Sequence, residues 1–409
     1  MIRGRRTPRL YIRIGCLVLA VLLVCPIPLW VYHSKILAQT SPFVFICTLL
    51  AGVSLGAGAI IGLAVSIIAM FRKRWFCHFI CPAGLILEGA SYIGLGKTSW
   101  WKGCPSIGKY ILLITVAGSV AGYPLLLWMD PLVFFTSVFS AFSSDNLLRG
   151  ILAAAGIILL LITALTSGSL WCARICPLGA TQDYLAGIGS LYNKNKTTEI
   201  TKNSSEKAGV KDTLPVTRRT VLSLASGAAL GLWVKKVGRV KAESGLLRPP
   251  GAIEENVFTG QCVRCGNCMR ACPSKIIQPD IGAAGISGFM APAVGFKSGY
   301  CLEHCNECTK VCPSGAIQKL DLDKKQKYVI GEAVLNASLC YMVRGVNDCD
   351  ICVRSCPFEA VQVYWDEESY VAFPFVDKLK CNGCGACERF CPTGNVKAIT
   401  VKRTESIKI

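Results

Sequence analysis

A multi-domain chain is predicted: an α-helical membrane domain of four spans plus a short fifth apolar segment, followed by a cysteine-rich α+β domain. Two observations predict it. Long apolar runs with Lys and Arg at their ends are confined to residues 1–192, and cysteines in repeated short spacings crowd residues 251–409. The composition agrees, with 17% charged residues and a mean hydropathy of +0.46. A net charge of +19 suggests nucleic acid in a soluble chain. Here the basic residues flank apolar runs, as positive-inside topology requires, and no nucleic-acid partner is expected.

The basic start, Met1 to Arg6, precedes an apolar run from about Tyr11 to Tyr32, so the N-terminus is expected in the cytoplasm and the run is read as a span rather than a cleaved signal. A second span, about Val44 to Phe71, returns to Arg72, Lys73 and Arg74. A third, about Tyr110 to Met129, follows the basic Lys97–Lys109 loop and leads to an outer loop with Asp130 and Asp145. The fourth runs from about Gly150 to Leu170.

Spans two and four are each followed by Cys-x-x-x-Cys-Pro: Cys77, Cys81 and Pro82, then Cys172, Cys176 and Pro177. The copies match at an offset of 95 residues through Ile80, Gly84, Ile93 and Gly94, so the membrane half is an internal duplication. Cys77, Cys81, Cys172 and Cys176 are therefore candidate ligands for one further redox cluster; the alternatives are two separate pairs or ordinary interfacial thiols. The repeat also aligns Glu88 with Asp183, candidate proton acceptors whose plainer reading is solvated interfacial acids. Cys16, Cys25 and Cys47 read as small buried hydrophobes, and Cys104 stands alone in the basic loop.

Residues 193–250 form a polar linker, then Arg218 and Arg219, then a weakly apolar stretch from Leu224 to Val234. The pattern resembles a twin-arginine export signal, placed by four spans on the cytoplasmic side; the alternative is a short helix on the membrane. Lys235, Lys236, Arg239 and Lys241 follow, and a cut near Ala242, Glu243 and Ser244 or retention as a fifth anchor both stay open.

The last domain carries four motifs of three spaced cysteines and a fourth Cys-Pro. They are Cys262, Cys265, Cys268 and Cys272; Cys301, Cys305, Cys308 and Cys312; Cys340, Cys349, Cys352 and Cys356; and Cys381, Cys384, Cys387 and Cys391. This is the bacterial ferredoxin pattern, and sixteen such cysteines imply four [4Fe-4S] clusters as cofactors in a tandem ferredoxin-like α+β domain. Zinc and a disulfide framework account poorly for a four-fold tetrad ending in proline. Gly266, Gly383 and Gly385 are expected where a Cβ would crowd the loops, and strands over Lys327–Ile330 and Ala360–Tyr364. No Cys-x-x-Cys-His occurs and there are only three His, so no haem is expected; His78 and His304 read as solvated neighbours of ligands. Glycine-rich nucleotide loops are absent too, which leaves electron transfer.

The segment from Leu247 to Asn256 leading into Cys262 resembles the start of mature NapG/MauM-type periplasmic ferredoxins, and the long Cys340–Cys349 gap fits their third motif. The membrane half resembles NapH, a polytopic protein with two Cys-x-x-x-Cys-Pro elements implicated in quinol oxidation. The resemblances imply a fusion that oxidises quinol, in the inner membrane with its cluster domain outside, and that passes electrons to a periplasmic reductase or multihaem cytochrome such as a nitrate reductase system. They also imply that motif one pairs with four and two with three. NapH-type proteins add a cytoplasmic two-cluster domain after the fourth span; here the linker and cluster domain take its place. The alternative functions are an electron-donating maturation or repair factor for a periplasmic metalloenzyme, or a redox sensor. The Cys77 and Cys172 elements would face inward, a ~30 Å slab away from the cluster domain.

Overall fold

The computed structural model describes residues 6–25, 33–52, 58–94, 105–144, 146–198, 218–241, 245–367 and 370–403. Asp145, Cys104, Ala242, Glu243 and Ser244 lie outside them.

The first half is helical: α1 (Arg6–Val24), α2 (Ser34–Gln39), α3 (Pro42–Leu50), α4 (Ala59–Phe71), α5 (Trp75–Phe79), α6 (Pro82–Ile93), α7 (Ile107–Val120), α8 (Pro131–Ser140), α9 (Leu147–Ser167), α10 (Pro177–Thr198) and α11 (Arg218–Lys241). Among the described helices only α9 is by itself both long and apolar enough to cross a bilayer; α4 and α7 are shorter apolar helices.

The expected second span is broken. Its apolar run includes several glycines, and α3 ends on Gly52 at φ 74°, the left-handed stop that glycine supplies, before α4 resumes. The third ends early in the same way, at Gly122 with φ 79°. Asp130 is not in an exposed loop. It is fully buried and caps α8, accepting from the Leu132 N–H at 2.8 Å and from the Ser41 hydroxyl.

Ser41 caps α3 in its turn, and both helices have proline in their first turn. The duplicated units thus meet cap to cap.

The helical half has two distinct ends. At one, Arg9 at the start of α1 reaches His78 and Arg13 reaches Glu88. At the other, the Val24 carbonyl closing α1 accepts from Arg270 of the cysteine-rich half. Helix α7 runs the same way, from Gly108 against the Cys176 carbonyl to Tyr123, whose hydroxyl lies 3.0 Å from that of Thr259. Helix α11 lies parallel to α7, with Gly227 close to Ile114 and Gly231 close to Gly118, and so leads from Arg218 and Arg219 at the first end to the cluster domain at the second.

The cysteine-rich half begins earlier than residue 251. Arg248 is buried, donates to both oxygens of Glu255 and to the Pro292 carbonyl, and stacks over Phe258. Three antiparallel pairs follow: β1 (Ile277–Pro279) with β2 (Pro292–Val294), β3 (Glu332–Leu335) with β6 (Ile399–Lys402), and β4 (Val361–Asp366) with β5 (Val371–Val376). The expected strand at Ala360–Tyr364 is part of β4. That at Lys327–Ile330 is not a strand: Lys327 closes a short helix from Leu322, and the Ile330 N–H is taken by the Asn382 carbonyl. Thirteen cysteines belong to this half's core of buried residues or pack against it.

Candidate iron-sulfur sites

Each ligand set is built from two neighbouring motifs. Cys262, Cys265 and Cys268 share a cavity with Cys312, the last cysteine of motif two. Cys301, Cys305 and Cys308 share one with Cys272, the last of motif one. Cys340, Cys349 and Cys352 face Cys391. Cys381, Cys384 and Cys387 lie beside Cys356, within electrostatic reach. Motifs therefore pair one with two and three with four, which corrects the one-four and two-three pairing implied by the resemblance. The exchange of the fourth ligand is the same; only the partner differs.

The donor sets fit cubane clusters. Every described cysteine is free. Among the described residues no group of three or more His, Cys, Asp or Glu closes to hold a single metal ion; the four sulfurs ring a cavity instead. Burial pushes Cys262 up to about 11 and Cys265 to about 12, so thiolates here need a cationic centre to hold them charged. Backbone N–H groups already point at sulfur, from Ile317 to Cys312 at 3.4 Å and from Ala360 to Cys356 at 3.3 Å. Glycine supplies the loop turns. Gly266 has φ 72° with Ser140 of α8 in the place of a Cβ, and Gly385 has φ 81° with the Phe296 ring there.

The four sets form a series. The first is sealed against the helical half: Val263 and Cys265 belong to its core, and the Arg264 guanidinium lies 5.4 Å over Trp128. It shares motifs one and two with the second. The second joins the set of Cys381, Cys384 and Cys387 through the Cys301 N–H, which donates to the Cys384 carbonyl at 2.9 Å. That set exchanges ligands with the last, around Cys340, which lies beside the exposed β4–β5 hairpin.

At the opposite end, Cys77, Cys81, Cys172 and Cys176 are brought together, near enough to interact electrostatically. Gln182 donates to the Cys77 sulfur at 3.0 Å and accepts from the Phe76 N–H. Gly84 N–H donates to Cys81. The aligned carboxylates are both engaged: Arg74 grips Asp183 through two contacts of 2.9 and 2.6 Å, and Arg13 pairs with Glu88. His78 accepts from Arg9, and His304, exposed, pairs with Glu303. Cys47 is buried, whereas Cys16 and Cys25 are half-buried. From Trp171, next to Cys172, ring centroids step 6.1 Å to Phe134 and 6.2 Å to Trp128, beneath Arg264.

Known proteins give the same partition. A family model described as a 4Fe-4S dicluster domain matches residues 261–317, which hold motifs one and two, and again 347–396, which hold motif four and motif three from Cys349 on. The ferredoxin-type protein NapG of Escherichia coli is 36% identical over 184 residues, covering 42% of this chain and 77% of that protein. This chain belongs to the NapG/MauM ferredoxin-type family. MauM, a methylamine utilization ferredoxin-type protein of Methylobacillus flagellatus, is 33% identical over 210 residues, 49% of this chain and 84% of its own. NapF of Escherichia coli, also ferredoxin-type, is 31% identical over 166 residues, 39% of this chain and 89% of its own. A second model, a 4Fe-4S binding domain, matches residues 54–100 and 149–195, the two Cys-x-x-x-Cys-Pro elements. No solved structure matches the chain. It is thus a ferredoxin-type electron-transfer protein with iron-sulfur sites. The cap pair Ser41 and Asp130 escaped the sequence reading, although Ser-Pro-Phe-Val-Phe at 41 and Asp-Pro-Leu-Val-Phe at 130 are visibly alike.

Proposed function

We propose that this protein is a NapH-like and NapG-like fusion that oxidises membrane quinol and passes single electrons through four [4Fe-4S] clusters to a periplasmic redox partner. The observation that carries this is the unbroken series of ligand sets from the helical half to the exposed β4–β5 hairpin. The clusters, when bound, supply one-electron acceptor and donor chemistry; the sixteen cysteines hold them, and the packing of Phe296, Phe258 and their neighbours excludes water from their cavities. The tetrad Cys77, Cys81, Cys172 and Cys176 fits a fifth cluster by its donors and by the Gln182 and Gly84 hydrogen bonds to its sulfurs.

In this reading the helical half lies in the inner membrane with its N-terminus cytoplasmic and its tetrad end inward. Helix α11, with Arg218 and Arg219 inward as twin-arginine export requires, leads the cluster domain to the periplasm. Anaerobic protein mixed with a menaquinol analogue is expected to develop reduced-cluster signals in electron paramagnetic resonance within minutes. No reduction over hours sinks the reading. A periplasm-specific reporter fused after Ile409 is expected to be active, and cytoplasmic activity there sinks the topology.

A further inference from the structure

Between the two halves, on the side of the cluster domain, lies a cavity of about 210 Å³. Its helical wall is Gln39, Phe45, Thr48 and Ala59, and its other wall contains Cys312 and Lys319. We infer that this cavity is the quinol-binding site, and that it serves the first cluster directly through Cys312. The inference rests on the quinol-oxidising function proposed above and adds where the quinol binds.

Three observations meet here. The Gln39 Oε1 atom is buried without a hydrogen-bond partner, a costly state for a carbonyl acceptor and one that a quinol hydroxyl relieves by donating to it. The residue opposite is Gly58, where a Cβ would overlap that oxygen, so the backbone leaves the amide its place. The cavity wall carries Cys312, a ligand of the set sealed against the helices, so the ring and the first cluster share a boundary with no intervening layer. Lipid access is provided on the same helices, where Leu49 is 51%, Leu50 42% and Ile60 70% exposed. Lys35, which donates to the Lys310 carbonyl at 2.8 Å, and Lys319 give the cavity a positive field that favours loss of the hydroxyl protons.

The reaction balances. Both O–H bonds of the quinol break, two protons pass to water on the cluster domain's side, and two electrons leave singly to oxidised [4Fe-4S] clusters, giving quinone. Electrons released here have no bilayer to cross.

The test uses the full chain with its clusters, and a photoreactive azidoquinone as probe. Label is expected on peptides spanning residues 35–59 and 309–319. Ala59→Trp, which fills the cavity, is expected to lower labelling and quinol-driven cluster reduction at least about tenfold, with dithionite-reduced spin count unchanged; Gln39→Leu, which keeps the shape and removes the acceptor, is expected to weaken both about tenfold. Label on residues 77–94 or 171–190, with both variants reduced by quinol as fast as the parent, overturns the site and leaves quinol oxidation standing. Label in the cavity with no cluster reduced supports the site and overturns the oxidation. A protein neither labelled nor reduced overturns both.

Discussion

The two motif pairs use the same ligand grammar in opposite surroundings. The first pair is pressed into the helical half, with Cys265 in its core, Gly266 against Ser140, and Arg264 and Arg270 half-buried beside its thiolates. Burial pulls Arg270 down to about 10, while the neighbouring Cys265 and Cys268 act to hold its charge. The second pair faces outward. Tyr364, Trp365 and Phe375 of its hairpin are exposed, and although burial raises the Cys391 thiol, hydrogen bonds from Thr393 and from the Ala398 and Ile399 N–H groups outweigh it and leave it lowered. Ligand spacing is the same in both pairs, and what packs around each pair differs: the helical half around one, solvent around the other.

The sharpest way to break the comparison is to remove one ligand from each end of the series. Cys312→Ser and Cys391→Ser are each expected to cost one cluster's iron. Only Cys312→Ser should abolish quinol-driven reduction of the remaining clusters, whereas Cys391→Ser should leave that reduction intact and stop delivery beyond it. Quinol-driven reduction lost to the same extent in both variants, or kept in both, would break the order of the series. Iron removal from either protein should also loosen its fold, visible as faster proteolysis, because these ligand cavities hold little else.

A finer comparison is electrostatic. Arg270→Gln removes a cation from beside the first set alone, and should lower that cluster's reduction potential on the order of 60 mV, a tenfold change for one electron, without moving the others. A potentiometric titration that shifts every signal, or none, contradicts the placement of Arg270.

Two glycines sharpen the contrast further. Gly266→Ala drives a methyl into Ser140 at a left-handed position and should cost about 1–3 kcal/mol, read as loosened contact between the halves in hydrogen exchange. Gly345→Ala, left-handed in the second pair but in open space, should cost about 1 kcal/mol from strain alone and leave that contact unchanged. Tyr123→Phe, which removes the hydroxyl contact to Thr259, should likewise cost about 1 kcal/mol.

The cysteine motifs, the duplicated Cys-x-x-x-Cys-Pro elements and the glycines at 266 and 385 were legible because spacing and residue type carry them, whereas the meeting of the four thiols in those elements was one possibility among several. Motif pairing was not, since any fourth cysteine has the right chemistry and only the fold chooses among them. The second span misled because hydropathy does not register what Gly52 does to a helix, and Asp130 misled because a carboxylate between apolar runs looks solvated until its cap and its Ser41 donor are seen. Arg248 falls in the linker by composition because its buried contact with the Pro292 carbonyl is not local.

The meeting of Ser41 with Asp130 also bears on the molecule's symmetry. These residues hold equivalent places in the two units, so a dimer of identical hairpins would set like against like on its axis: two carboxylates that repel, or two hydroxyls joined weakly. In one chain the two positions differ, one a donor and the other an acceptor. The buried bond between them is one that no symmetric homodimer of one hairpin can reproduce.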